Sequence, residues 1–295
     1  MSTTPIAASH AASLSESLPA GEHIRAHVQQ SLDEDVGAGD LTASLLPDTQ
    51  WAEAEVITRE AAVLCGQAWF ELAFALVDAR AAVTWLAGDG DHLSPGANIC
   101  TIRGPLRALL TAERTALNYL QTLSGTATRA RDYAEAVAGL PVRILDTRKT
   151  IPGLRREQKY AVRCGGCHNH RMGLHDAVLI KENHITAAGS IAAAVAAARR
   201  QVPPGIPVQV EVESLGELEQ ALQVGVERVL LDNFDLSHLR QAVEHTGGRA
   251  RLEASGGVTL DRLRLIAETG VDDISVGDLT KSVRSIDLSL RLRRS

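Results

Sequence analysis

The second half of the chain alternates short runs of aliphatic and β-branched residues with amphipathic helical segments. This rhythm is typical of βα units that build a parallel sheet. We predict helices at Ile191–Arg200, Leu215–Val224, Leu236–His245 and Leu260–Thr269. The predicted strands are Val142–Asp146, Ala177–Lys181, Val208–Glu213, Arg228–Asp232, Arg251–Ser255 and Asp273–Gly277. Six such units favour an incomplete parallel α/β barrel over a doubly wound sheet.

The first half has a different pattern, in which short strands are separated mainly by turns. Helices are predicted at His23–Asp33 and Gly66–Val77. The predicted strands are Ala54–Thr58, Ala82–Leu86 and Ile99–Arg103. Strands with few helices between them indicate an α+β sandwich domain. A helical run that begins after Pro105 and extends through Leu123 is a plausible bridge to the second half.

Length and composition agree with a two-domain globular protein. The chain has 295 residues, of which 45% are hydrophobic and 22% charged. We expect a flexible tail at residues 1–20, an N-terminal α+β sandwich domain at 21–116 and an α/β barrel domain at 117–283.

The charge and the segment types exclude several classes of function. The formal net charge of −6 argues against nonspecific nucleic-acid binding. No secretory or transit signal is readable in the first 20 residues, and no stretch has the roughly 20 apolar residues that span a bilayer. We therefore expect a soluble cytoplasmic protein without nucleic-acid or membrane partners. The four cysteines are too few for a disulfide framework.

Polar residues fall at the carboxyl end of nearly every predicted strand of the second half. In parallel α/β barrels these ends and the loops after them form the active face, so the side chains should converge on one mouth. The residues are Asp146 with Arg148 and Lys149, then Lys181, Glu211 with Glu213, Asp232, Ser255 and Gly277.

The segment from Arg143 to Lys181 concentrates positive charge. It holds nine Lys or Arg residues against three Asp or Glu residues. Such a patch in an acidic protein predicts an anionic ligand, because the guanidinium fork binds carboxylate or phosphate with two hydrogen bonds. We interpret the positions next to turn residues as ligand-binding and the helical positions as a solvated basic face. The first group is Arg148-Lys149 and His170-Arg171, and the second is Arg155, Arg156 and Lys159.

Two carboxylates and a set of glycines complete the candidate site. Glu211 and Asp232 end adjacent strands, where they either hold Mg²⁺ together with substrate phosphates or form salt bridges with Lys149 or Lys181. Small residues after the last two strands let backbone N–H groups approach a phosphate. They are Ser255-Gly256-Gly257 and Val276-Gly277.

Motifs in order along nearly the whole chain resemble the quinolinate phosphoribosyltransferase family. The motifs of the second half are LDTRKT (145–150), PGLR (152–155), KYAVRCGG (159–166), NHR (169–171), LIKENH (179–184), LDNF (231–234) and ISVG (274–277). Those of the first half are ED (34–35), GDLT (39–42) and ERTALN (113–118). The resemblance implies a sandwich plus an incomplete barrel, with the C-terminal tail 284–295 returning to the first domain. It also implies a homodimer or larger homo-oligomer with shared active sites.

The same resemblance implies roles for individual residues, with quinolinate and phosphoribosyl pyrophosphate as substrates. Arg148, His170 and Arg171 would bind the quinolinate carboxylates, and Arg114 would reach into the partner's barrel mouth. Lys149 and Lys181 would lie between the substrates, and Glu211 and Asp232 would serve Mg²⁺-bound phosphoribosyl pyrophosphate. The 5′-phosphate would lie against Ser255, Gly256, Gly257 and Gly277. Thr147 and Val276 complete the substrate-binding set, within which Lys149, Lys181, Glu211 and Asp232 are the catalytic candidates.

Some features leave other interpretations open. Cys167, His168 and Asp278 depart from the family pattern. The run Cys164 to His168 matches a haem-attachment pattern, and His170 beside it hints at zinc, but the expected compartment and the missing second cysteine pair disfavour both. Competing functions are a barrel aldolase with a Schiff base at Lys181, the related protein found with molybdate transport, and a noncatalytic nucleotide-binding module.

Overall fold

The computed structural model describes Leu14 and residues 16–293. The predicted tail at 1–20 therefore lies largely outside the described residues. The chain divides into two compact units, which comprise residues 1–131, 156–166 and 282–295 in the first and residues 132–155 and 167–281 in the second. This division differs from the sequence-based boundary at 116/117, because residues 117–131 and 156–166 cluster with the first unit.

The first unit is built on a four-stranded antiparallel sheet. Its order is β12-β1-β5-β3, and β2 pairs with β4 in a separate two-stranded sheet. The strands are β1 (Trp51–Thr58), β2 (Ala62–Val63), β3 (Ala82–Trp85), β4 (His92–Leu93), β5 (Asn98–Pro105) and β12 (Leu288–Leu292). The helices are α1 (Gly21–Val36), α2 (Gln67–Val77), α3 (Leu106–Ala136) and α4 (Arg155–Cys164), with a 3₁₀ helix at Ala43–Leu45.

The C-terminal segment belongs to the first unit through strand β12. Val56 pairs with Leu290 on one side and with Cys100 on the other, so β1 lies in the centre of the sheet. Alternate residues of β1, from Ala54 to Thr58, are fully buried, as expected for a sheet with one apolar face. Trp69, Phe70 and Phe74 of α2 are likewise fully buried and supply much of the core.

The second unit is a six-stranded parallel sheet, in agreement with the predicted incomplete barrel. Its order is β6-β11-β10-β9-β8-β7, and in the described residues β6 and β7 do not pair, which leaves the barrel open. The strands are β6 (Arg143–Leu145), β7 (Val178–Ile180), β8 (Val208–Val212), β9 (Arg228–Asp232), β10 (Arg251–Ser255) and β11 (Asp273–Ser275). The helices are α5 (Glu182–Ala188), α6 (Ile191–Gln201), α7 (Leu215–Gln223), α8 (Leu236–Thr246), α9 (Leu260–Ala267) and α10 (Asp278–Lys281).

Helix starts in the second unit follow their capping residues. Ser190, Ser214 and Asp235 accept hydrogen bonds from the backbone N–H three residues later, which satisfies a donor that the first helical turn leaves without a partner. The strands β6 and β11 are shorter than predicted, since β6 covers Arg143–Leu145 and β11 covers Asp273–Ser275. The bridging helix, predicted to end at Leu123, continues to Ala136.

A buried carboxylate ties the strands together at their amino ends. Asp273 of β11 accepts hydrogen bonds from Arg143 of β6 at 2.7 Å and from Arg251 of β10 at 3.0 Å. Arg228 of β9 lies 3.4 Å from the same carboxylate. These ion pairs lie at the end of the sheet opposite the predicted site.

No helix within the described ranges is long and apolar enough to cross a bilayer.

Candidate active site

The carboxyl ends of the barrel strands bring most of the predicted residues to one edge of the second unit. Glu211 is in register with Leu230, and Asp232 with Ser255, so their side chains lie on the same face of neighbouring strands. The Val276 N–H donates to the Leu145 carbonyl at 2.8 Å, which places the loop after β11 beside the loop after β6.

The loop after β6 has a turn that fixes Lys149. The Lys149 N–H donates to the Thr147 hydroxyl at 3.0 Å, and the Thr280 hydroxyl donates to the Lys149 carbonyl at 2.7 Å. A Cβ atom at Gly277 would lie 3.1 Å from Cδ of Lys149. Glycine at this position therefore lets the lysine side chain cross the loop after β11.

Arg148 and Arg171 bring two positive charges into one part of the site. Nε of Arg148 is buried and has no hydrogen-bond partner among the described residues. Burial lowers the pKa of Arg171, and the positive charge of Arg148 lowers this pKa further. The two positive charges repel each other, so a dianion bound by both guanidinium groups would relieve the repulsion and give the buried Nε of Arg148 an acceptor.

The Arg148 backbone is positioned by Arg155. The Arg155 guanidinium donates to the carbonyls of Arg148 and Met172 and to the Thr150 hydroxyl, each at 3.2 Å. The prediction that Arg155 belongs to a solvated helix face is therefore wrong. It is wrong for Lys159 as well, since Lys159 is only 1% exposed. Lys159 lies on the buried side of α4 and Arg155 is half-buried, and the run of basic residues alone did not reveal this.

His170 is held by two buried carboxylates. Its backbone N–H donates to Asp146 at 2.8 Å, and Asp146 also accepts from the Asn169 amide at 2.6 Å. The Arg171 N–H donates to Nδ1 of His170 at 2.7 Å. Since Nδ1 accepts, Nε2 of the neutral ring carries the proton and faces Glu253 at 3.3 Å.

Glu253 is the residue of this site that the sequence analysis missed. It is buried in the middle of β10 and also accepts from Gln209 at 2.8 Å. Burial raises the pKa of Glu253, but hydrogen bonds from His170, Gln209 and Ser275 outweigh it and bring this pKa below its ordinary value. The available signal was an acidic residue at the centre of a predicted strand, between Leu252 and Ala254.

The two carboxylates proposed for a metal have different partners. Both oxygens of Glu211 accept from Nζ of Lys181, at 2.6 and 2.9 Å, so one of the predicted salt bridges is present. Asp232 accepts from the Asn233 amide at 2.8 Å. Two carboxylates on adjacent strand ends fit Mg²⁺, which takes one or two protein oxygens and completes its shell with phosphates and water. The Lys181 contact is the salt bridge expected in the alternative without a metal, and it gives Glu211 a cationic partner within the protein.

The loop after β10 requires glycine. Gly256 has a φ of +93°, and a Cβ atom there would collide with the Asn233 side-chain oxygen and lie 2.9 Å from the Asn233 backbone nitrogen. Among the described residues Asn233 is the only one besides glycine with a positive φ, at 57°. Ser255, Gly256 and Gly257 line a cavity of about 220 Å³ together with Asn233 and Arg262.

Two more positions singled out from the sequence are Arg114 and Asp278. Arg114 is exposed on α3 and belongs to the first unit. Asp278, at the start of α10, accepts from the Tyr133 hydroxyl at 3.0 Å. Its departure from the family pattern thus coincides with a specific hydrogen bond inside the second unit.

Comparison with known proteins identifies the family. Residues 40–124 and 126–291 match the N-terminal and C-terminal domains of quinolinate phosphoribosyl transferase. The chain is 40% identical over 257 residues to the probable carboxylating nicotinate-nucleotide pyrophosphorylase of Bacillus subtilis, with 87% of this chain and 89% of that protein covered. The corresponding Synechocystis protein is 41% identical over 271 residues, with 91% and 92% covered.

A solved structure agrees with these sequence relatives. The nicotinate-nucleotide pyrophosphorylase from Francisella tularensis superposes with a TM-score of 0.91 at 44% identity, covering 93% of this chain and 98% of that chain. The matches extend over both units and include every strand-end position described above. The chain belongs to the quinolinate phosphoribosyltransferase family.

Proposed function

We propose that this enzyme transfers the phosphoribosyl group of phosphoribosyl pyrophosphate to the ring nitrogen of quinolinate and releases CO₂. The products are nicotinate mononucleotide, CO₂ and pyrophosphate, and the reaction belongs to NAD biosynthesis. The observation that carries the substrate assignment is the Arg148–Arg171 pair with its buried donor that lacks a partner. Family membership and the two arginines, which suit a small dianion, both support quinolinate as the substrate.

Quinolinate carries two carboxylates on adjacent ring carbons. Arg148 and Arg171 are placed to bind them, and the Arg155 and His170 contacts hold the backbone of both arginines. Fixing the ring in this way aims its nitrogen at the sugar carbon and removes much of the entropic cost of bringing two anions together.

The carboxylate side of the site suits the second substrate. Glu211 and Asp232 would hold Mg²⁺, which when bound neutralises charge on the departing pyrophosphate. Lys149 follows β6 and Lys181 follows β7, and both would stabilise the same developing negative charge. Ser255 to Gly257 and Val276-Gly277 present backbone N–H groups to the 5′-phosphate.

The decarboxylation needs no organic cofactor. Once the ring nitrogen is ribosylated it carries a positive charge, which stabilises the electron pair left on the ring carbon when the adjacent carboxylate departs as CO₂; that carbon then takes up a proton. The role of the chain is to hold the ring while this carboxylate leaves. A Schiff-base role for Lys181 fits poorly, because its Nζ already donates hydrogen bonds to both oxygens of Glu211.

One assay tests the proposed function. The protein is mixed with quinolinate, phosphoribosyl pyrophosphate and Mg²⁺, and nicotinate mononucleotide and CO₂ are measured, with nicotinate as the control acceptor. We expect product from quinolinate and little from nicotinate, which lacks the second carboxylate. Equal use of both acceptors, or binding of phosphoribosyl pyrophosphate without product, would contradict the proposal. The second result would favour the noncatalytic nucleotide-binding module.

A cytoplasmic homodimer with shared active sites is part of the same proposal. It rests on the family resemblance, in which an arginine of the bridging helix completes the partner's site, and on the exposure of Arg114. Light scattering of the purified protein and fractionation of cells test the oligomeric state and the compartment.

A further inference from the structure

A cluster of two histidines and a glutamate lies in the first unit and takes no part in the proposed reaction. His23 and His27 are one turn apart on α1, and Glu157 is on α4. Nε2 of His23 and Nδ1 of His27 each lie 2.9 Å from the same oxygen, Oε1 of Glu157. The three ligand atoms all lie within 4.8 Å of one another.

Glu157 is unusually placed for a carboxylate. Its side chain is 0% exposed, and its second oxygen, Oε2, has no hydrogen-bond partner among the described residues. A buried acceptor left without a partner destabilises the folded state. The two histidines give Oε1 its hydrogen-bond partners but leave Oε2 without one. A cation bound by the carboxylate would give both oxygens a partner.

The ligand types and their spacing identify the class of cation. Two histidines four residues apart on a helix present their rings on one face, which is the spacing found in zinc sites. The rings lie with centroids 4.2 Å apart. Imidazole nitrogens with one carboxylate suit Zn²⁺ or a similar transition metal and suit Mg²⁺ poorly.

The cluster is open to solvent on its histidine side only. The side chains of His23 and His27 are 20% and 22% exposed. An ion can therefore enter from α1, and water can complete a tetrahedral shell beside the three protein ligands.

A second cluster of the first unit does not meet the same conditions. Cys65 and Cys164 lie with their sulfur atoms 3.6 Å apart beside Asp89. The Asp89 oxygens already accept from the N–H groups of Gly66 and Gln67 and from the Tyr160 hydroxyl. This carboxylate already has its hydrogen-bond partners inside the protein. We therefore interpret the cluster as a satisfied polar network and not as a metal site.

We propose that His23, His27 and Glu157 form a Zn²⁺ site that joins helix α1 to helix α4. The site has a structural role, since an ion held by both helices stabilises the folded unit in proportion to its occupancy. It is separate from the Glu211–Asp232 pair, which belongs to the second unit.

Zn²⁺ titration of the full-length protein tests the site. Protein stripped with a chelator and desalted is titrated with Zn²⁺ against a chromophoric competitor, in excess Mg²⁺ to occupy oxygen-only sites. We expect one equivalent to bind and to raise the melting temperature. His23→Gln, His27→Gln and Glu157→Gln should each weaken binding by at least about tenfold. Co²⁺ should give the visible spectrum of a four-coordinate ion, and this spectrum should be lost in His27→Gln.

The matched control is His245→Gln. His245 forms an exposed pair with Glu219 at 2.7 Å, but among the described residues no third ligand-type side chain joins them. Replacing His245 should therefore leave Zn²⁺ affinity unchanged. If Glu157→Gln proves unstable, the partly exposed His23→Gln carries the test, with folding checked by circular dichroism. The proposal is overturned if Zn²⁺ fails to bind stoichiometrically at about 100 µM, a weak-binding limit. It is equally overturned if the three variants bind like the wild type.

Discussion

Two arginines at the mouth of the barrel, Arg148 and Arg171, are the proposed binding groups for a dianionic substrate. Arg148→Ala and Arg171→Ala should each lower kcat/KM for quinolinate by about 10- to 150-fold, because each charge-assisted hydrogen bond contributes about 1.5–3 kcal/mol. Steady-state kinetics with quinolinate as the varied substrate measures this. Arg156→Ala, at an exposed position of α4, is the matched control and should behave as the wild type. Near-normal kinetics in both test variants would refute the assignment.

We expect Glu253 to affect quinolinate binding by positioning the His170 ring. Glu253→Gln keeps the shape of the side chain but removes the charge that faces Nε2 of His170, so it should raise KM for quinolinate and lower kcat/KM by about tenfold. The melting temperature should change little, because glutamine can still accept from Gln209. Glu219→Gln removes an exposed carboxylate beside a histidine and serves as control. Unchanged kinetics in Glu253→Gln would exclude the positioning role.

Some of the site could be predicted from sequence at this scale and some could not. Lys181 and Glu211 were identified as strand-end residues, and their ion pair was one of the alternatives considered. The burial of Lys159 and Glu253 was not predicted, because a buried charge is defined by its partners, and those lie far away in sequence. Asp146 was noted only as a strand end, although its role is to hold the His170 backbone.

The glycine loop after β10 is an element whose shape is set by close packing. Gly256→Ala should destabilise the protein by about 1–3 kcal/mol more than Gly248→Ala, because both positions have a positive φ but only Gly256 also meets Asn233. Urea denaturation of the two variants measures the difference. Equal destabilisation would show that strain at φ, and not the close approach, limits this position.

The start of helix α2 makes the stability of the first unit depend on pH. Burial raises the pKa of Asp89 to about 6, while its contacts with Tyr160 and the N–H groups of Gly66 and Gln67 oppose this rise. The unfolded carboxyl has a pKa of 3.8, so the folded state binds the proton more tightly. The protonated Asp89 carboxyl group contributes its full stabilisation of the folded state below about pH 4, and this stabilisation is lost as the pH rises to about 6. Each unit of difference between the folded and the unfolded pKa corresponds to about 1.4 kcal/mol.

Asp89→Asn tests this pH dependence. The variant keeps an acceptor for the two N–H groups, and the Tyr160 hydroxyl can accept from the new amide. We therefore expect the stability of the wild type to fall more steeply than that of the variant between pH 4 and 6. Urea midpoints measured across this range decide the matter, and parallel curves would contradict the assignment.

The strand and helix positions of the barrel followed well from the sequence pattern. β9 and β10 have their predicted bounds, and the other strands differ by one or two residues at an end. These elements are specified locally, by alternating burial and by caps such as Ser214. The length of α3 was underestimated, since no glycine or proline marks an end near Leu123 and polar residues continue the helix to Ala136.

At the scale of the whole molecule, the proposed dimer shares its active sites. Arg114→Ala and Asp232→Asn should each be nearly inactive alone, but subunits mixed after dissociation should regain roughly a quarter of wild-type activity. In a random mixture half of the dimers are mixed, and each of these has one intact site. Activity measured before and after mixing tests this. Absence of recovery, with mixed dimers confirmed by differential tagging, would contradict shared sites.

Strand β12 has a consequence for how the chain is made. It pairs with β1, which the ribosome delivers more than 200 residues earlier. The first unit thus cannot complete its central sheet until residues 288–292 have left the ribosome, while the six parallel strands emerge in sequence before then. Pairing between such distant segments is slow, so one edge of β1 stays exposed until β12 reaches it. The nascent protein is therefore most vulnerable to aggregation in the interval before β12 pairs.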